Sequence, residues 1–249
     1  MKSLPRKPAK QSTEELRYRR VLLKLSGEMF GGKRGTGFDF EVIREFARQV
    51  RDVSALGVAL GLVVGGGNIV RGKRNAPPDM DRAAADQMGM LATVINAICL
   101  QAALESTGLE TRIMTALEIR AFAEPYIKRR AERHLEKGRV VIFAGGTGHP
   151  FFTTDTAAAL RASEIGADVL IKATKVDGVY DKDPATHSDA VRYDRLSYQE
   201  VLQRKLRIMD STAVAFCMDN AVPILVLNIG LQNNLLGAVR GQKVGTLVS

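Results

Sequence analysis

Three apolar runs in this chain end on glycine. Residues 21–25 (Val-Leu-Leu-Lys-Leu) stop at Ser26-Gly27, residues 58–64 run into Gly65-Gly66-Gly67, and residues 139–143 stop just before Gly145-Gly146. Runs that are apolar on both faces suit strands of a parallel sheet covered on both sides. Between them the apolar residues recur at helical spacing. Asp39 can cap a helix whose apolar positions Phe40, Ile43, Phe46, Ala47 and Val50 follow the helical period and which closes at Gly57. Residues 83–104 read as a long buried helix, 126–137 as a basic helix stopped by Gly138, and 154–166 as another helix. Further strands are expected at 111–114, 168–171 and 223–227, helices at 197–206 and 209–220, and a short edge strand at 244–248. Residues 175–196, rich in Asp, Lys and turn formers, read as irregular or hairpin structure. This alternation predicts an α/β fold, a three-layer α/β/α sandwich around a mostly parallel central sheet.

In an open parallel sheet all carboxyl ends lie on one edge, and ligands bind there. Glycine at a strand end lets backbone N–H groups approach an anion, and the helix that follows adds partial positive charge. One such loop would be an ordinary tight turn. Three, with Lys24, Arg71 and Thr147 beside them, point to several phosphates. The dinucleotide pattern GxGxxG is absent. Residues 67–73 fit G-x4-G-K, but Arg74 replaces the Mg²⁺-binding Ser or Thr, and Pro77-Pro78 cannot open the required helix, so this P-loop match is a decoy.

The net charge of +9 and the pI near 9.7 favour polyanionic partners. Residues 1–20 supply seven basic side chains against two acidic ones, more than half of that surplus. With Pro5 and Pro8 and no hydrophobic period, residues 1–18 read as a solvated basic tail, and 19–249 as one domain whose character shifts near residue 168. A nucleic-acid role for the tail is disfavoured, since Tyr18 is its single aromatic residue. Cys99 and Cys217 form no CxxC pattern, and three scattered histidines exclude most His-based metal sites. No run approaches 18 apolar residues and no apolar core marks the first 20 as a secretory signal, so the expected location is cytoplasmic, without a membrane span.

Five segments then occur in order: Lys24-Leu-Ser-Gly-Glu28; Gly65-Gly-Gly-Asn68 with Arg71-Gly72; Asp86-Gln-Met-Gly-Met-Leu-Ala-Thr93; Gly146-Thr-Gly148 with Pro150-Phe-Phe-Thr-Thr-Asp155; and Ala173-Thr-Lys-Val-Asp-Gly-Val-Tyr180. Together they make the stretch from about residue 19 to 249 resemble the bacterial uridylate (UMP) kinases of the amino acid kinase superfamily. The resemblance implies ATP:UMP phosphotransfer giving UDP, with Mg²⁺ held mainly through the ATP phosphates, in a homohexamer regulated by nucleotides such as GTP and UTP. It implies an acceptor lobe over about 19–167 and an ATP lobe over about 168–249. Lys24, Leu25, Ser26 and Gly27, with Gly67 and Arg71, would meet ATP phosphates, and Thr174, Tyr180 and Asp183 would line the adenosine side. Gly66, Asp86 and the loop Thr147, Gly148, His149, Pro150, Phe151, Phe152, Thr153, Thr154 would hold UMP. Gly32, Lys33, Arg34, Gly35, Thr36 and Gly37 match the region tied to GTP activation. Many members of the family carry Asn where this chain has His149, an imidazole that can donate like an amide but can also titrate.

Phosphoryl transfer of this kind needs placement and charge neutralisation, and no general base, because a phosphate monoester with a second pKa of about 6 is already a competent nucleophile. Lys24 suits the moving phosphoryl group and Arg71 can grip phosphate oxygens with two donors. Asp155 and Asp210 complete the catalytic set, orienting Lys24 and Arg71 or holding Mg²⁺ through water; helix capping is the plainer reading of both. Asp86 could accept from a ribose hydroxyl, or be simply a solvated residue at a helix start, and Thr147 could read uracil. Whether Arg71 or Lys175 is the second important cation stays open. The alternatives are a superfamily kinase with a carboxylate or carbamate acceptor, and a nucleotide-sensing regulator that binds nucleic acid.

Overall fold

The structure is a computed structural model that describes residues 16–70, 77, 79–206 and 208–249. Arg71, Gly72 and the rest of 71–76, the tail residues 1–15, Pro78 and Arg207 lie outside the described residues.

Nine strands form one sheet: β1 (Arg20–Leu25), β2 (Ala59–Val64), β3 (Thr111–Thr115), β4 (Glu124–Pro125), β5 (Val140–Ala144), β6 (Val169–Thr174), β9 (Arg195–Leu196), β10 (Ile224–Asn228) and β11 (Thr246–Val248). The order across the sheet is β4-β3-β5-β2-β1-β6-β10-β11-β9, and every pairing is parallel except β10 with β11. A small antiparallel hairpin, β7 (Val179–Tyr180) with β8 (Arg192–Tyr193), stands outside it. The expected hairpin at 175–196 is therefore real. The expected edge strand at 244–248 is not at the edge, because β9 pairs outside β11. Two-residue strands such as β4 and β9 carry too little periodicity to be seen in sequence.

One face of the sheet is covered by α1 (Phe40–Ser54), α2 (Arg82–Glu105) and α7 (Asn234–Val239), the other by α3 (Lys128–Glu136), α4 (Thr154–Glu164), α5 (Tyr198–Gln203) and α6 (Ser211–Asp219). The predicted three layers are present. The alternation of side chains along β1 sends Val21, Leu23 and Leu25 to the first face and Leu22 to the second. Asp39 caps α1 as expected, accepting from the N–H groups of Glu41 and Val42. The basic helix α3 starts later than its composition suggested, because Glu124–Pro125 is held extended against β3. By length and mean hydropathy (1.5 over its most apolar window) α2 could cross a bilayer. Its buried Thr93 and Asn96 are instead bonded to loops at the sheet edge, which makes it a strut of the fold.

β1 lies at the centre, with β2 on one side and β6 on the other, so the chain winds first one way and then the other from this strand. Asp168 pins the junction at its far end, where one carboxylate oxygen accepts from the N–H groups of Arg19 and Arg20. In the middle of β2, a Cβ at Gly61 would stand 2.9 Å from the Phe143 ring and 3.1 Å from both Ile165 and Leu22. Gly61→Val is expected to overpack this face and destabilise the protein by about 1–3 kcal/mol. A denaturant midpoint equal to wild type would show that the layer above Gly61 yields freely.

Candidate active site

The junction of β1 and β6 is the point where the winding reverses, and the crevice beyond the carboxyl ends of such strands is where ligands bind in open α/β sheets. β5, β2 and β1 are adjacent and parallel, so their three glycine loops open on the same edge of the sheet. The first two loops touch. The Gly65 N–H donates to Leu25 O at 2.9 Å, and a Cβ on Gly27 would lie 2.4 Å from the Gly67 nitrogen, which no side chain survives.

Lys24 and Lys172 are register partners on β1 and β6. Both point to the α4 face, where Asp155, in the first turn of α4, lies between them. Lys24 Nζ is 2.6 Å from Asp155 Oδ1, and Lys172 Nζ donates to Asp155 Oδ2 at 2.6 Å. Burial alone would push the Asp155 carboxyl up, but the two ammonium groups outweigh it and hold the group below the usual carboxylate range. Lys172 is pulled below the ordinary lysine value by burial and by the charge of Lys24, with Asp155 opposing. Asp210 adds a second carboxylate whose charge also acts on Lys172, so the crevice gathers two ammonium groups that a phosphate could meet, steadied by two carboxylates.

Asp155 does not cap α4. Thr153 does, accepting from the N–H groups of Asp155 and Thr156. Asp210 does cap its helix, accepting from Ala213 N at 2.9 Å, and it also accepts from the hydroxyls of Thr153 and Thr156. The N-termini of α4 and α6 are thereby cross-braced beside the lysine pair, and both direct partial positive charge at the crevice.

A cavity of about 360 Å³ opens next to this group. It brings together Gly66 and Gly67 of the second loop, Asp86 and Met90 of α2, and Gly146, His149, Phe152, Thr153 and Thr154 of the third loop, with Glu28 from the first. Asp86 is not a merely solvated residue, since it accepts from the Phe151 N–H at 2.8 Å and stands 3.7 Å from Arg82. Phe151 itself has φ of 73°, a strained value for a bulky residue, with the Arg82 guanidinium 4.8 Å over its ring. His149 is exposed, and its ring Nδ1 faces the Thr147 carbonyl at 3.3 Å. The Thr147 hydroxyl donates to the His149 carbonyl at 3.2 Å, so the loop holds its own turn.

Thr174 ends β6 with its hydroxyl on the Leu227 carbonyl. Tyr180 and Asp183 belong to the hairpin region, Tyr180 donating to Asp177 at 2.6 Å and Asp183 accepting from Ala185 N at 2.9 Å. Gly32, Lys33 and Arg34 form a 3-10 turn ending at Gly35. Gly32 and Lys33 line a second cavity of about 740 Å³ that extends to Thr174 and Lys175. Lys175 thus faces a different space from Lys24. Among the described residues the cation beside Lys24 is Lys172, which the sequence reading missed; Arg71 lies outside them. Its signal was present: residues 169–172 (Val-Leu-Ile-Lys) repeat the pattern of residues 21–24 (Val-Leu-Leu-Lys).

Among the described residues no group of three or more His, Cys, Asp or Glu side chains gathers as a metal cage. Both Asp155 oxygens face ammonium groups and Asp210 is taken up by hydroxyls and a helix cap, so neither is poised as a metal ligand.

The fold has counterparts of known structure. A UMP kinase from Bacillus anthracis is 38% identical over 93% of this chain and 96% of its own, with a TM-score of 0.90. A UMP kinase from Ureaplasma parvum is 35% identical over 94% and 99%, with a TM-score of 0.87. A uridylate kinase from Archaeoglobus fulgidus is 33% identical over 92% and 99%, with a TM-score of 0.72. Residues 19–228, which contain Lys24, Asp155, Lys172 and all three glycine loops, match the model of the amino acid kinase family, and this chain belongs to that family.

Proposed function

We propose that this chain transfers the γ-phosphoryl group of ATP to UMP, giving UDP for pyrimidine nucleotide synthesis. The observation that carries the reading is the buried pair Lys24 and Lys172 around Asp155 at the β1/β6 junction, beside a cavity whose size falls in the range of about 300–1,000 Å³ usual for small-molecule sites. The similarity to proteins described as UMP kinases supports the choice of acceptor.

The reaction then proceeds by placement and neutralisation. UMP lies in the acceptor lobe (residues 19–167), its phosphate against the Gly66 loop and its ribose toward Asp86. ATP lies over the lobe of residues 168–249, reaching Thr174, Tyr180 and Asp183, with its phosphates on Ser26, Gly27 and Gly67. The UMP phosphate oxygen attacks the γ-phosphorus in line, and the bond to the β-phosphate oxygen breaks. Lys24 follows the moving PO₃, with Asp155 and Lys172 setting its position and Asp210 bracing the two helix ends. Backbone N–H groups at the loops absorb the remaining charge. Mg²⁺ would be held mainly through the ATP phosphates, where it would supply neutralisation of their oxygens. Arg71 belongs to the same proposal as a phosphate grip.

The assembly is proposed to be a homohexamer in the cytoplasm, with GTP and UTP as effectors and Gly32–Gly37 as a sensitive segment. The support on the chain itself is a stripe of exposed Met88, Leu91, Ile95 and Ile98 along one face of α2, which suits contact between copies.

An acceptor screen with ATP tests the reading. UMP is expected to be phosphorylated in strong preference to CMP, acetylglutamate or carbamate; preference for a carboxylate or carbamate would replace UMP in this account. Lys24→Ala and Lys172→Ala are each expected to lower kcat by about 10²-fold or more while circular dichroism stays unchanged, since Asp155 keeps one lysine in either variant. Near-normal turnover in one of them removes that lysine from the mechanism. Asp86→Ala should raise KM for UMP more than for ATP, and the opposite pattern would exchange the two nucleotide sites.

A further inference from the structure

Glycine-rich loops are free to turn their peptide planes, so a loop that must aim N–H groups at a phosphate needs anchors outside itself. The Gly65–Gly67 loop has one in two buried amides. Asn96, on the inner face of α2 and fully buried, donates to Gly65 O at 2.7 Å and to Asn68 Oδ1 at 2.7 Å. Asn68, also buried, returns a bond from Nδ2 to Asn96 Oδ1 at 3.1 Å and donates to Gly37 O at 2.9 Å. Each amide nitrogen faces two acceptors, so turning either amide over would set oxygen against oxygen. The backbone closes the same knot, as Gly37 N donates to Asn68 O at 3.0 Å, and Ile69 N and Val70 N both donate to Gly66 O at 3.0 Å. One helical turn before Asn96, Thr93 Oγ1 accepts from Gly145 N at 2.8 Å.

We propose that Asn96 is a positioning residue for phosphoryl transfer: paired with Asn68, it fixes the Gly65 peptide and so aims the N–H groups of Gly66 and Gly67. The proposal rests on the reading that this loop meets phosphate. α2 thereby holds two of the three glycine loops from a single face, through Asn96 and Thr93. The Asn68 bond to Gly37 ties the turn that begins at Gly32 to the same loop. An apolar side chain at residue 96 would leave the Gly65 carbonyl and Asn68 Oδ1 without their side-chain donor and so cost stability, and the activity comparison below is therefore set against a variant that loses stability without touching these bonds.

The test compares Asn96→Leu, close in volume but without donors, with Leu100→Ala, a core truncation one turn further along α2 that removes no hydrogen bond to the loops. Both full-length proteins are assayed with ATP and UMP well below their melting temperatures. Asn96→Leu is expected to lose kcat by about tenfold or more and to raise KM for UMP, whereas Leu100→Ala keeps kcat within about twofold even if it melts lower. Equal kcat in the two variants would overturn the positioning role and leave Asn96 a structural residue. Should Asn96→Leu not fold, Asn68→Asp, which keeps its acceptor toward Asn96 but loses both donors, is expected to show the same fall in kcat, and wild-type turnover there would overturn the proposal. A wild type with no UMP turnover would overturn the phosphate reading itself, and this one with it; a normal Asn96 variant beside an active wild type overturns this one alone.

Discussion

The arrangement depends on one carboxylate placed between two ammonium groups. Asp155 meets Lys24 from β1 and Lys172 from β6, and those strands are neighbours only because the winding of the sheet reverses between them. Without the carboxylate, two buried like charges on adjacent strands would repel in a setting of low dielectric. With it, and with the charge of Asp210 acting on Lys172, the two ammonium groups are held side by side at the carboxyl ends of the central strands.

Around that group the fold uses helix ends and backbone rather than further charged side chains. Asp210 and Thr153 tie the N-termini of α4 and α6 to each other, so two helix dipoles converge where negative charge must gather. Three loops at neighbouring strand ends add N–H groups, and α2 restrains two of them through Thr93 and Asn96. α2 therefore serves two faces at once: an inner one that grips loops, and an outer one with Leu91 and Ile95 exposed. The strain at Phe151 sits in the third glycine loop's continuation, which is held by Asp86 and Arg82.

Much of this was legible in the residues. The two-face apolar runs gave away parallel strands, and Asp39 marked the start of α1. Three strand ends on glycine placed three loops at one edge of the sheet before any coordinates, and those loops do open together. The short strands β4 and β9 and the helix α7 were not legible, because two to six residues carry too little periodicity. The order β10-β11-β9 could not be foreseen either, since it depends on which strand edge is left open once the parallel core has formed.

The sequence by itself determined the layers, the glycine loops and the presence of Lys24, Asp155 and Asp210, because those follow from local period, turn chemistry and residue type. Only the tertiary structure decided that Lys172, and not Lys175, stands beside Lys24, that Asp155 bridges two lysines while Asp210 caps a helix, and that Asn96 holds a loop 31 residues away. The physical reason is that charge pairing and buried amide bonding act across strand register and helix face. Both are fixed by which strands become neighbours, and no local window of the chain contains that information.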